Sequence, residues 1–278
     1  MLEFQLFRIK VYPSEQMVFN GPKKPSEILL ETIKSLPSAE IRNGMIWHLG
    51  NICEIDENGL YFRVGRTTKA KREIYQDGNF TDEEFEEAPY THIILDIPIE
   101  VCAIAKKAKL SPSPKGIANQ LIKLFAGSEP ARHYGAKFEI DWLKNPEDLI
   151  AHLKRAYTIS RFSMTFSRPN PFDVEEDIIG PFSKFIKEAQ AEKGKAQVEG
   201  ENLKPQLLED LTRSAAATGN DAMARLQLDK EQPQTTIHLR ENPVFIQQDD
   251  VSDDEQKRTL LDKVRQIYRK VRGKLSNE

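Results

Sequence analysis

The run Met45-Ile46-Trp47-His48-Leu49-Gly50-Asn51-Ile52-Cys53-Glu54-Ile55, followed by Asp56-Glu57-Asn58-Gly59 and then Leu60-Tyr61-Phe62-Arg63-Val64, decides how the front of this chain is read. Two stretches rich in β-branched and aromatic residues flank an Asn-Gly pair, whose tolerance of positive φ suits a hairpin turn. The pattern continues on both sides. Met1 to Phe7 alternates polar and apolar, and residues 1–12 read as a first strand. Pro25 with Ser26, Ile28, Leu29 and Ile33 reads as a helix with proline in its first turn. Tyr90 to Ala105 is a β-rich stretch broken at Pro98, and Ser113-Pro114 opens a helix with the apolar stripe Ile117, Leu121, Leu124 and Phe125.

Farther on, Lys137 to Trp142 reads as a strand. Asn145-Pro146-Glu147-Asp148 then caps a helix striped by Leu149, Ile150 and Leu153, with acids at its positive end. Thr158 to Ser167 alternates Phe162, Met164 and Phe166 with polar residues, as a half-buried strand does, and Pro169-Asn170-Pro171 ends it. Helices follow at Ile178 to Ala189 and Leu203 to Ala217, then strands at Ala222 to Leu228 and Thr235 to Leu239. Ser252 with Glu255 forms a capping box before a last helix. The expected fold class is mixed α+β: a β-rich N-terminal unit, β-α-β units behind it and a charged C-terminal helix. The expected domains are 1–128, β-rich α+β, and 136–278, α/β, with Gly127, Ser128, Pro130 and Gly135 marking the linker.

A chain of 278 residues buries a sizeable core, and 39% hydrophobic with 30% charged residues describes an ordinary globular protein. No apolar run approaches the roughly 20 residues that span a bilayer, and the start lacks the basic and apolar pattern of a signal peptide. A cytoplasmic location without membrane insertion is expected. Cys53 and Cys102 sit in apolar strand-like runs and read as buried thiols.

The net charge of −3 conceals segregation. Acids gather at Asp82 to Glu87, Asp173 to Asp177 and Asp249 to Glu255. Acid-free stretches carry Arg63, Arg66, Lys69, Lys71 and Arg72; Lys106, Lys107 and Lys109; and Lys154, Arg155, Arg161 and Arg168. In the last helix Leu260, Leu261, Val264, Ile267, Tyr268 and Val271 form a buried stripe, while Arg258, Arg265, Arg269 and Arg272 share another face. Repeated arginine forks at helical spacing match successive phosphate oxygens of a nucleic-acid backbone. Neither cluster is interleaved with exposed aromatics, so contact with a duplex backbone is favoured over base stacking.

Catalytic signals are weak. Arg42 and His48 have the spacing of the arginine–histidine motif of HEPN ribonucleases, which sits on a helix, whereas these residues read as strand. The five histidines have no metal-ligand spacing, and no glycine loop cradles a phosphate. Neither a metal nor a cofactor is expected, and no catalytic residue is assigned. A nucleic-acid-cleaving effector and a protein–protein adaptor remain the alternative readings.

In length and order of elements the chain resembles the RexA-type phage-exclusion proteins of lambdoid prophages. The similarity includes the β-rich front, the strand–Pro–strand–helix from Thr91 to Phe125, the β-α-β from Phe138 to Phe166 and the charged final helix. The resemblance implies a bacterial or phage defence component that binds DNA as a homodimer without cleaving it, and a second defence-system protein is a further expected partner. It carries over no functional residue.

Overall fold

The computed structural model describes residues 1–14, 23–42, 44–167, 185–186, 188–189, 191, 193–240 and 242–273. Most of the helix expected from Ile178 to Ala189 lies outside these residues, as do Pro169-Asn170-Pro171, Arg168 and the acidic run at 173–177.

The fold is mixed α+β. Thirteen strands among the described residues form two sheets. The larger contains β1 (Leu2–Tyr12), β2 (Ser38–Arg42), β3 (Met45–Glu54), β4 (Gly59–Gln76), β5 (Asn79–Glu87), β6 (Tyr90–Asp96), β7 (Val101–Ala105), β8 (Lys137–Trp142) and β13 (Phe245–Gln248). Its order is β13-β1-β7-β6-β4-β3-β2, with β5 also on β4 and β8 also on β1. The smaller sheet runs β10 (Lys193–Glu199), β9 (Thr158–Ser167), β11 (Ala222–Gln227), β12 (Thr235–His238), with antiparallel neighbours throughout. The strands on either side of the fourth helix therefore enter different sheets.

The described helices are α1 (Pro25–Lys34), α2 (Pro114–Ala126), α3 (Glu129–His133), α4 (Glu147–Arg155), α5 (Pro205–Ala217) and α6 (Asp254–Arg272). Two compact units divide the chain. The first comprises residues 1–5, 9–140 and 246–261, and the second residues 6–8, 141–245 and 262–278. The stretch 127–136, expected as a linker, contains α3 and belongs wholly to the first unit.

In the first unit the even-numbered residues of β4, Leu60, Phe62 and Val64, join Ile93 and Leu95 of β6 and the whole of β7 in the core. Helix α2 packs on this sheet against β2, β3 and β7 with its stripe Ile117, Leu121, Leu124 and Phe125, and the Ser113 hydroxyl caps it by accepting from the Gly116 amide. Strand β1 departs from its expected one-faced alternation. Residues Phe4 to Val11 are all buried, including Gln5, Arg8 and Lys10. A strand flanked on both edges and covered on both faces has no solvent side for its polar positions.

The hairpin of β3 and β4 forms as its sequence predicts, with Glu54 opposite Leu60, but the Asn-Gly pair acts differently. Neither Asn58 nor Gly59 has positive φ. The Asp56 carboxylate accepts from the Asn58 amide, and Ile55 N–H closes onto Gly59 C=O. A Cβ at 59 would lie 2.2 Å from Leu261 Cδ2, so any larger residue there forces that side chain to shift. The positive-φ turn is at Asp77-Gly78 (φ 52° and 83°), between β4 and β5, as a type I′ hairpin demands.

The last helix also begins one residue later than its expected cap. Asp253, not Ser252, accepts from the Gln256 amide, and the Gln256 side chain rather than Glu255 reaches back to Ser252 N–H. The buried stripe holds for Leu260, Leu261, Val264, Tyr268 and Val271, with Ile267 only half-buried. In the second unit the fully buried Arg8 donates from Nη1 to Tyr268 Oη at 2.8 Å.

Candidate functional site

The antiparallel register of β4 and β6 sets Arg63 opposite His92 and Gly65 opposite Tyr90. Because side chains alternate along a strand, Tyr61 and Arg63 point away from the Phe62 and Val64 core, onto the outer face of the sheet. There they meet the residues of β6. Arg63 Nε donates to Tyr61 Oη at 2.8 Å, and Tyr61 Oη lies 2.8 Å from His92 Nδ1. The phenol oxygen accepts from arginine, and its own proton is available to Nδ1 when that nitrogen is unprotonated. The guanidinium carbon stands 4.5 Å from the Tyr90 ring centroid, and His92 meets Tyr90 edge-on at 5.6 Å. At the start of α6, the Lys257 ammonium lies 5.1 Å from the Tyr61 ring centroid and 2.9 Å from an Asp254 oxygen.

Burial holds the His92 imidazole below its ordinary range, and the positive charges of Arg63 and Lys107 add to the effect against the opposing pull of Asp250. The neutral ring agrees with the hydrogen-bond geometry. The hydrogen bond to Tyr61 raises Arg63, and the one to Asp254 raises Lys257. Arg63 makes no ion pair among the described residues, so its two Nη groups keep their donors for a ligand. Tyr61, only 3% exposed and with both hydroxyl bonds committed, is a positioning residue for Arg63 rather than a nucleophile. Tyr90 is 43% exposed beside it. Together these groups form a cation fixed between a buried phenol and an exposed ring, an arrangement suited to an anion carried next to a flat group.

The structure disperses most of the expected basic residues. Arg66 lies on the opposite face of β4 from Arg63, where its Nη2 donates to Lys109 C=O at 3.0 Å. Lys69, Lys71 and Arg72 sit on the extension of β4, directly across from Glu86, Glu84 and Glu83 of β5. Arg72 grips Glu83 through Nε at 2.8 Å and Nη2 at 2.5 Å, and Lys71 lies 3.6 Å from Glu84. Lys109 pairs with Glu87 and Lys106 with Glu3. Only Lys107 of that trio bears on His92. In the second unit Lys154 pairs with Glu209, and Arg161 with Glu199.

On α6 the arginine row borders the buried stripe. Arg258 and Arg269 are exposed and make no ion pair among the described residues, Arg265 lies 3.7 Å from Asp262, and Arg265 and Arg272 are half-buried. Arg258 belongs to the first unit and the other three to the second.

Arg42 and His48 do not come together as a catalytic pair. They fall on two strands instead of one, with Arg42 opposite Met45 and His48 opposite Ser38. Both imidazole nitrogens of His48 are engaged, Nδ1 with Ser38 Oγ at 2.8 Å and Nε2 with Thr67 Oγ1 at 3.0 Å. Cys102 is buried as expected and its thiol is pushed up, but Cys53 is half-buried.

Tyr61, Tyr90, His92 and Lys257 went unrecognised in sequence because no local motif links them. Register alone joins them, and the available signal was the odd-position alternation of Tyr61 and Arg63 next to a β-rich segment starting Tyr90-Thr91-His92. Among the described residues no His, Cys, Asp and Glu cluster of three or more is placed to hold a metal, and no helix is long and apolar enough to cross a membrane.

No curated protein matches the chain. The family model described as "Domain of unknown function (DUF4747)" matches residues 24–269, which takes in the outer sheet face and all but the last turn of α6. That is far more than half of the sequence, so the chain belongs to the DUF4747 family.

Proposed function

We propose that this protein binds nucleic acid without regard to sequence and without cleaving it, gripping a backbone phosphate with Arg63 on the outer face of the larger sheet. The observation that carries this reading is the state of Arg63: oriented by Tyr61 Oη, stacked on Tyr90 and without a carboxylate partner among the described residues. A fork held in this way offers paired N–H donors to phosphate oxygens and loses little side-chain freedom on binding. His92, opposite Arg63 on β6 and within reach of the Lys107 charge, borders it. The exposed Tyr90 ring supplies a surface for an unpaired base, which favours a single strand at this face. The resemblance to RexA-type exclusion proteins supports placing such binding in defence against phage.

A second reading, binding to duplex DNA, is favoured by the exposed Arg269 on the second unit's part of α6. The two are separated by anisotropy titrations of labelled single-stranded and duplex oligonucleotides across salt. Arg63→Gln should lower single-strand affinity roughly tenfold and make the salt slope shallower by about one charge. Arg265→Glu with Arg269→Glu should affect the duplex alone if the second reading holds. Absence of binding to either oligonucleotide at low salt refutes both.

A further inference from the structure

The register of β3 on β4 ends with Ile46 opposite Thr67, and from Thr68 to Gln76 β4 pairs only with β5 among the described residues. Among the described residues strand β5 pairs only with β4. The result is a two-stranded ribbon of nine residue pairs, open along both edges among the described residues and closed by the Asp77-Gly78 turn. It is largely exposed, and Tyr75 (65% exposed) and Phe80 (82% exposed) stack across it near the tip at 4.8 Å. Two open edges with exposed aromatic rings are a template for adding another strand.

The charge pattern decides which edge accepts which strand. Along β5 the acids Asp82, Glu83, Glu84 and Glu86 would face one another in a self-pairing centred on the acidic run, and like charges directly opposite are destabilising. The β4 edge reads Lys69-Ala70-Lys71-Arg72-Glu73-Ile74-Tyr75 and behaves differently. An isologous antiparallel pair needs a two-fold axis perpendicular to the sheet, so paired residue numbers sum to an even constant. Centred on Arg72, Lys71 faces the partner's Glu73 twice. Ala70 faces the partner's Ile74 twice on the other face, and Lys69 lies across from the ring of the partner's Tyr75. The single like-charge contact is Arg72 with the partner's Arg72, and each is already neutralised by its own Glu83.

We propose that two copies of this chain associate through the free edge of β4, antiparallel and centred on Arg72, to make a four-stranded sheet β5-β4-β4-β5. The acidic β5 edges then lie outermost and oppose further growth, so the assembly closes at two. This proposal rests on the ribbon alone and is independent of the nucleic-acid reading.

Sedimentation velocity of the full chain tests it. The wild type should sediment at twice the chain mass. Glu73→Lys should weaken the dimer at least tenfold. In a Cys53→Ser background, Arg72→Cys should cross-link to its own copy on mild oxidation, because antiparallel partners stand roughly 4.5–5.5 Å apart at Cα, within disulfide reach. Gln76→Cys, roughly 27 Å from its counterpart in this register, should not. A monomeric wild type, or a dimer indifferent to Glu73→Lys in which Arg72→Cys fails to cross-link, overturns the proposal.

Discussion

His92 shows how a single ring reports on the whole outer face. Its lowered proton affinity follows first from burial and then from the Arg63 and Lys107 charges, against the pull of Asp250. An unfolded histidine titrates near about 6.5, and the folded one lies lower. Between those two values the unfolded chain binds more protons, so this residue adds stability as pH rises and removes it as pH falls. The contribution is complete above about 6.5 and is lost on acidification through the folded value. In an NMR titration the His92 ring should therefore show a midpoint below 6.5, and Arg63→Gln should move that midpoint upward by removing a neighbouring positive charge. A His92 midpoint at or above 6.5 in the wild type contradicts the neutral Tyr61–His92 pair. None of these contacts was legible in sequence: Arg63 and His92 meet only through the pairing of β4 with β6.

Elements differ in how openly their sequences declare them. The stripe of α6 was legible because Leu260, Leu261, Val264, Tyr268 and Val271 recur at helical spacing, and the β3–β4 hairpin because both arms are rich in β-formers. The ribbon was not. Strand β5 is built from Asn79-Phe80-Thr81-Asp82-Glu83-Glu84-Phe85-Glu86-Glu87, a composition that reads as a solvated acidic run, and it exists through its pairing with the basic stretch of β4. The Asp77-Gly78 turn between Tyr75 and Phe80 was its one local signal. Two glycines separate steric from conformational causes. Gly59→Ala should cost roughly 1–3 kcal/mol by overpacking against Leu261. Combined with Leu261→Ala, it should cost less than the two changes summed, as measured by urea unfolding. Gly78→Ala meets nothing within 4 Å. It should cost about 1 kcal/mol through positive φ alone and should appear as faster amide exchange confined to the ribbon.

At the scale of the molecule, chain order and unit membership diverge. The first unit is assembled from residues 1–5 and 9–140 together with 246–261, and the expected boundary at 128–136 falls inside it because hydrophobic periodicity carries no information about which distant segment returns. A fragment ending at Ile140 lacks Leu261 against Gly59 and Lys257 over Tyr61. It should show no cooperative thermal transition, whereas adding a peptide spanning 246–261 should restore part of one. A sharp melt of the fragment alone would mean that the outer face needs no cover. Synthesis gives the same dependence a temporal meaning. About 120 residues separate Ile140 from Leu261, so at roughly 5–20 residues per second a ribosome completes β1 to β7 many seconds before it delivers the segment that covers Tyr61. During that interval Tyr61 and its neighbours have no cover from the start of the last helix, so the order of synthesis leaves this face open until the chain is nearly finished.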